Sequence, residues 1–298
     1  MTAAARLTVV VAIGLGTLVA GGRAHGLAHT GPLQQATFRT RSTFVSVDVS
    51  VRRGNNPVAD LTAADFVLTD NGVPQAIELV GMQAVPIDVS LVVDLSGSTA
   101  GQLDRYRSDV LGIARAIRPT DQLRVITFGI SVDQLLALSP GGTVPPVANM
   151  KSIGASSVYD GIAAALIRAV DIDRRHLIVA FTDGGENASI LTLDDLLAVA
   201  QRSESVLHLS RNATDALTAV AEATGGTNHG SWLNRSMLGA FEDIFAAFRQ
   251  SYVLRYRPTG VPAGGWHEID VTLTRPGRFD IRARRGYFGG AVPHPSGF

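Results

Sequence analysis

From Phe44 the chain alternates strictly, with Val45, Val47, Val49 and Val51 on one side and Ser46, Asp48 and Ser50 on the other. A period of two sets one face of a strand against a core and the other toward water, so this is a half-buried strand. Gly54-Asn55-Asn56-Pro57 reads as a turn. Phe66-Val67-Leu68-Thr69 and the run 75–80 then flank Asp70-Asn71-Gly72, a strong hairpin signal because Asn-Gly tolerates positive φ.

Between Pro86 and Gln250 the rhythm changes. Residues 87–93 are almost continuously apolar, as in a strand buried on both faces. Leu103, Tyr106, Val110, Ile113 and Ile117 recur behind it at helical spacing. Residues 123–128 form a second strand, and 132–138 fold back as an antiparallel edge. Val158, Ile162, Leu166 and Val170 mark another helix, and Leu177-Ile178-Val179-Ala180-Phe181 is the most hydrophobic strand. Thr192, with Asp195 three residues on, opens a helix in a capping-box pattern. Residues 206–209 read as a strand, 216–224 as a helix stopped by Gly225-Gly226, and 237–248 as a further helix. Such alternation argues for an α/β unit with an open, mostly parallel sheet and helices on both faces. After Ser251 the β pattern returns in 252–256, 269–273 and 279–283. Each flanking β segment is too small to stand alone. The two therefore pack together or extend the central sheet.

The first residues bear on the compartment. Arg6 precedes an apolar run of about 14 residues from Leu7 to Ala20, closed by Gly21-Gly22-Arg23-Ala24. This is a secretory signal pattern, and the run is short for a bilayer span of about 20 residues. An uncleaved anchor is the alternative. Cysteine is absent, which removes a lipoprotein anchor, disulfides and thiolate metal sites. The predicted organisation is a signal peptide at 1–24, a linker at 25–36, a β module at 37–84 and a central domain at 85–250. A C-terminal β segment at 251–288 and a tail at 289–298 follow. The 298 residues are 46% hydrophobic, and Lys+Arg and Asp+Glu both total 26. Zero net charge lacks the basic footprint of a nucleic-acid binder.

Candidate chemistry sits at the strand ends. Asp94-Leu95-Ser96-Gly97-Ser98 follows the strand 87–93, and ligands of open parallel sheets bind outside the carboxyl ends of strands. Asp183 follows the strand 177–181, and a third loop carries Ser156 and Ser157 just before a helix. Carboxylates and hydroxyls are hard oxygen ligands that suit Mg²⁺, with Mn²⁺ or Ca²⁺ as alternatives. An ion held by two carboxylates and neutral hydroxyls keeps positive character and attracts an acidic group of a partner. The seven histidines are dispersed, and His208 on a predicted strand reads as packed or half-buried. Arginines concentrate in the last region, where a solvated face competes with an anionic contact.

Asp94, Ser96 and Ser98 match the Asp-x-Ser-x-Ser metal-ion-dependent adhesion motif of the von Willebrand factor type A domain, which this chain resembles. Asp183 matches the later aspartate of that family in its Thr-Asp-Gly context. Ser156-Ser157-Val158-Tyr159-Asp160 is similar to its Thr-Ala-Leu-Tyr-Asp loop, which puts Ser156 in the place of the metal-binding threonine, with Ser157 as its rival. The resemblance implies a Rossmann-like fold and a metal site of Asp94, Ser96, Ser98, Ser156 and Asp183. The first and later aspartates of the family often act through water. Leu61-Thr62-Ala63-Ala64-Asp65-Phe66, Asn71-Gly72-Val73-Pro74-Gln75, Ala221-Glu222-Ala223-Thr224-Gly225-Gly226, Tyr252-Val253-Leu254-Arg255-Tyr256 and Arg285-Gly286-Tyr287 resemble bacterial secreted proteins of the VWFA-related Acidobacterial domain family.

The expected function is an exported adhesion or binding module, secreted or periplasmic, whose partner is a protein or cell-surface ligand supplying a carboxylate. A metal-independent structural or assembly protein of the cell envelope is the alternative. A phosphatase-like hydrolase is disfavoured because Ser96 stands where a second carboxylate would act as acid and base. No Gly-x-Ser-x-Gly elbow or Walker A loop occurs, so no enzymatic activity is expected.

Overall fold

The computed structural model describes residues 44–290 apart from 55, 81–84, 168–170, 172, 183–184, 211–214 and 231–235. The expected signal peptide, the linker, Val170, Asp183 and the tail from 291 lie outside the described residues.

The chain opens with β1 (Val45–Arg53), β2 (Asn56–Pro57), β3 (Phe66–Asp70), β4 (Val73–Pro74) and β5 (Ile77–Val80). The alternation of β1 buries Val47, Val49 and Val51. Its other face is not given over to water: Asp48, Ser50 and Arg52 are half-buried. Arg175, itself buried, donates to Asp48 at 2.7 Å, to Ser251 Oγ at 2.6 Å and to Phe248 O at 2.9 Å, which explains that burial.

The hairpin forms only in part. Asn71 at φ 48° and Gly72 at φ 78° give the two positive dihedrals of a tight two-residue turn. Thr69 faces Pro74, Asp70 faces Val73, and the Gln75 N–H still reaches Leu68 O at 3.0 Å, where the pairing ends. The Gln75 side-chain amide turns to Val73 O and Thr259 O. The chain then leaves β3, and β5 pairs with a strand of a different sheet.

The central unit comprises β6 (Ile87–Asp94), α1 (Leu103–Ala116), β7 (Gln122–Phe128), β8 (Val132–Pro140), α2 (Val158–Leu166), β9 (Arg175–Phe181), α3 (Leu193–Arg202), β10 (Val206–Ser210), α4 (Asp215–Ala223) and α5 (Met237–Arg249). Its sheet has the order β10-β9-β6-β7-β8. The pairs among β10, β9, β6 and β7 are parallel, and β8 closes the edge antiparallel to β7. Alternation along β6 sends Val89, Leu91 and Val93 into a core with α1 and α5. Val92 faces the opposite core, built with α2, α3 and α4. Thr192 caps α3 by accepting the Asp195 N–H, as the capping box requires.

The chain ends in β11 (Tyr252–Tyr256), β12 (Gly265–Leu273), β13 (Asp280–Arg282) and β14 (Gly286–Gly289). These strands pair with the N-terminal ones in two antiparallel sheets, β13-β1-β11-β5 and β14-β12-β3-β4. Parallel pairing is thus confined to the central sheet, and antiparallel pairs dominate the described strands as a whole. A polar knot joins the two outer sheets. Buried Asp70 accepts from the hydroxyls of Tyr256 at 2.9 Å and Tyr287 at 2.8 Å, and lies 2.8 Å from His267 Nδ1.

Candidate metal centre

β6 and β7 end side by side, and the loops beyond them are stitched together by main-chain bonds. Leu95 N–H donates to Phe128 O, Ile153 N–H to Leu95 O, and Gly97 N–H to Gly154 O. The close approach requires glycine at 129, where a Cβ would stand 2.7 Å from Ile153 O. Ser152 Oγ and Thr99 Oγ1 both donate to Ser96 O, at 2.6 and 2.8 Å. The loop carrying Ser96 and Ser98 is therefore fixed from two sides.

Asp94 occupies the last position of β6 and is 1% exposed. One carboxylate oxygen accepts the Ser96 N–H at 2.9 Å. The other accepts Thr182 Oγ1 at 2.7 Å and Ser156 Oγ at 3.3 Å. Ser96 Oγ lies 3.2 Å from Ser98 Oγ. Asp94, Ser96, Ser98 and Ser156 thus share one small volume. Thr182, which pattern reading passed over, joins them at the end of β9. Its signal in the sequence was its place immediately before Asp183.

The two serines differ in where their hydroxyls point. Ser157 Oγ turns away to Gly129 O at 2.7 Å, and its N–H bonds the same oxygen. Ser156 N–H donates to Asn187 Oδ1, and Ser156 O accepts from the N–H groups of Asn187 and Ala188. The loop after Asp183 is thereby anchored to Ser156. Glu186 and Asp160 are occupied within that loop: Glu186 accepts from Ala188 and Ser189 N–H, and Asp160 from Ile190 and Leu191 N–H.

A buried carboxylate ordinarily finds a cation or several hydrogen bonds. Among the described residues, Asp94 is in no ion pair, and its partners are hydroxyls and an amide. No three His, Cys, Asp or Glu side chains gather as a metal-binding group among the described residues. The donor chemistry here is one carboxylate with several hydroxyls, which fits a hard cation that retains water. Beside the site runs a groove of about 420 Å³, lined by Leu95, Gly129, Ile130, Lys151 and Ile153. Ile130 and Ile153 are 64% and 56% exposed. Among the described residues, no helix is long and apolar enough to cross a membrane.

No family model matches the chain. No curated protein matches it either. Among solved structures it is similar to a von Willebrand factor type A protein from Catenulispora acidiphila, with TM-score 0.48 and 10% identity over 84% of this chain and 74% of that one. It is also similar to proximal thread matrix protein 1 from the mussel byssus with a zinc-occupied MIDAS motif, at TM-score 0.45 and 16% identity over 61% and 50% of the two chains. A third is the PilB minor pilin from Streptococcus sanguinis, at TM-score 0.44 and 15% identity over 56% of this chain. The match spans 62% of that pilin's length. All three likenesses are remote, and the chemistry of the site stands on this chain's own residues.

Proposed function

We propose that this chain is an exported binding module whose central unit is a Rossmann-like von Willebrand factor type A domain. In this reading Asp94, Ser96, Ser98, Ser156 and Asp183 hold Mg²⁺, or Mn²⁺ or Ca²⁺ in its place. The observation that carries it is the buried Asp94 carboxylate, met by the hydroxyls of Ser156 and Thr182 and the Ser96 N–H and by no cationic side chain among the described residues. Bound there, the ion supplies a positive centre with a position open to a carboxylate of a protein or surface partner.

The chain's own residues prepare that encounter. Thr182 and the Ser96 N–H fix the orientation of Asp94, Ser156 Oγ reaches the same carboxylate, and Ser96 Oγ lies beside Ser98 Oγ, an arrangement that supports this ligand set. Ile130 and Ile153 give the partner apolar contact next to it.

Thermal denaturation with millimolar Mg²⁺ or Mn²⁺, against chelator, tests the reading. An ion that binds only the folded state at a hundredfold excess over Kd adds about 2.7 kcal/mol. Asp94→Ala abolishes the shift and leaves the fold intact. Equal melting temperatures with ion and with chelator overturn the metal site and favour a metal-independent envelope protein.

A further inference from the structure

The dispersed histidines and the C-terminal arginines have no part in the metal centre, yet two of those histidines meet. His208 lies on β10, and the segment 227–229 runs beside that strand. Leu209 N–H donates to Thr227 O at 3.0 Å, and His229 N–H to Leu209 O at 2.8 Å, bridging Leu209 and Asn228 in parallel. This register turns both imidazoles to the same side, with His208 Nδ1 and His229 Nε2 2.9 Å apart. They line a cavity of about 260 Å³ among β1, β10, β13 and α5. That is far more than the roughly 30 Å³ share of one water.

The walls carry donors from separate directions: Ser50 and Arg52 from β1, Arg282 from β13, and Asn228 from the bridging segment. The acids nearby are largely committed. Asp48 is held by Arg175, and Asp280 is paired with Arg282 at two points, 3.3 and 2.8 Å, which engages the Nε and one Nη of that guanidinium as well. Burial first, then the guanidiniums, disfavour charge on the histidines. His208 is pushed down to about 3 by burial, then by His229 and Arg282. His229 is pushed down to about 4 by burial, then by Arg282 and Arg52, against a weaker opposing effect of Asp243 on α5. Two neutral imidazoles thus face two guanidiniums, and the pair gains a further donor when a ring takes a proton.

We propose that this cavity binds a small tetrahedral oxyanion, a phosphate or sulfate group, against Arg52, Arg282, His208 and His229, and that the imidazole pair takes up a proton from solvent on binding. Donors arranged around the cavity suit four oxygens in a tetrahedron better than the two coplanar oxygens of a carboxylate. The site is separate from the metal centre and independent of it.

Calorimetric titration of the full chain with sulfate tests this, at about pH 5.5 and about pH 7.5, on either side of the ordinary histidine value. Buffers of differing ionisation heat report the proton. Sulfate does not titrate over that interval, so any pH dependence belongs to the protein. Binding tightens by about tenfold between these pH values, the gain expected when the anion restores one ring from about 4 to the ordinary histidine value, with measurable proton uptake. Arg52→Gln weakens it at both pH values, and the pair His208→Asn with His229→Asn removes the pH dependence. Inorganic phosphate binds as sulfate does. Absence of saturable sulfate binding, binding without proton uptake, or tighter binding of succinate overturns the proposal.

Discussion

Which hydroxyl reaches Asp94 is a matter of one residue of register. The sequence offers Ser156 and Ser157 side by side, and nothing in their types distinguishes them. The distinction comes from Gly129, whose carbonyl takes both the N–H and the hydroxyl of Ser157 and leaves Ser156 facing Asp94. Ser156→Ala therefore weakens Mg²⁺ affinity in calorimetric titration, while Ser156→Thr retains it because the β-branch narrows χ1 freedom. Ser157→Ala leaves affinity almost unchanged but lowers stability by about 1 kcal/mol, the worth of one buried hydrogen bond. The reverse pattern, with affinity lost at 157 alone, shows that the loop register is wrong. Asp94, Ser96 and Ser98 were legible together because their spacing is local. Thr182 was not, since its hydroxyl matters only once β9 lies beside β6.

At the scale of elements, hydrophobic period located the central strands and helices, because a strand buried on both faces and an amphipathic helix leave different patterns. Pairing partners were less legible. Period says that residues 75–80 are extended, but not that the Gln75 side chain bonds Thr259 and the chain passes from β3 to β11 beyond it. Gly225-Gly226 read as a helix stop, and it is also a contact point. A Cβ at 226 would stand 1.8 Å from Leu207 O, and one at 225 would stand 2.7 Å from Arg284 N. Backbone crosses backbone there, so no side chain can yield. Gly226→Ala destabilises the protein by about 3 kcal/mol in urea unfolding, at the upper end of overpacking costs. Gly101→Ala is the control: its added methyl meets nothing within 4 Å and leaves the midpoint nearly unchanged. Equal midpoints for the two variants show that segment 225–229 does not press against β10.

For the whole molecule, the junction between the central sheet and the outer β sheets couples stability to pH. His208 and His229 sit where β10, β1, β13 and α5 converge, and their meeting could not be read from positions 208 and 229 alone. It exists because segment 227–229 adds to the edge of β10 in parallel. In the folded state both imidazoles lie below their ordinary value of 6.5, His208 at about 3 and His229 at about 4. The unfolded chain takes up these protons as pH falls through 6.5, and the folded chain does not do so until about 4 and below. Stability is thus full above about pH 6.5 and declines with falling pH toward about 4, mainly through half-buried His208, because His229 is exposed and water screens its neighbours. Urea midpoints between about pH 7.5 and about pH 4.5 in chloride buffer measure this decline. His208→Asn with His229→Asn flattens it, since asparagine does not titrate. Arg282 and Arg52 face the pair as like charges, and Asp243 as an opposite one. Arg52→Gln therefore lessens the decline, and Asp243→Asn steepens it. An oxyanion in the cavity offsets the guanidiniums, so saturating sulfate reduces the slope as well. A wild-type stability flat across this range, in chloride, shows that the histidine pair is open to water.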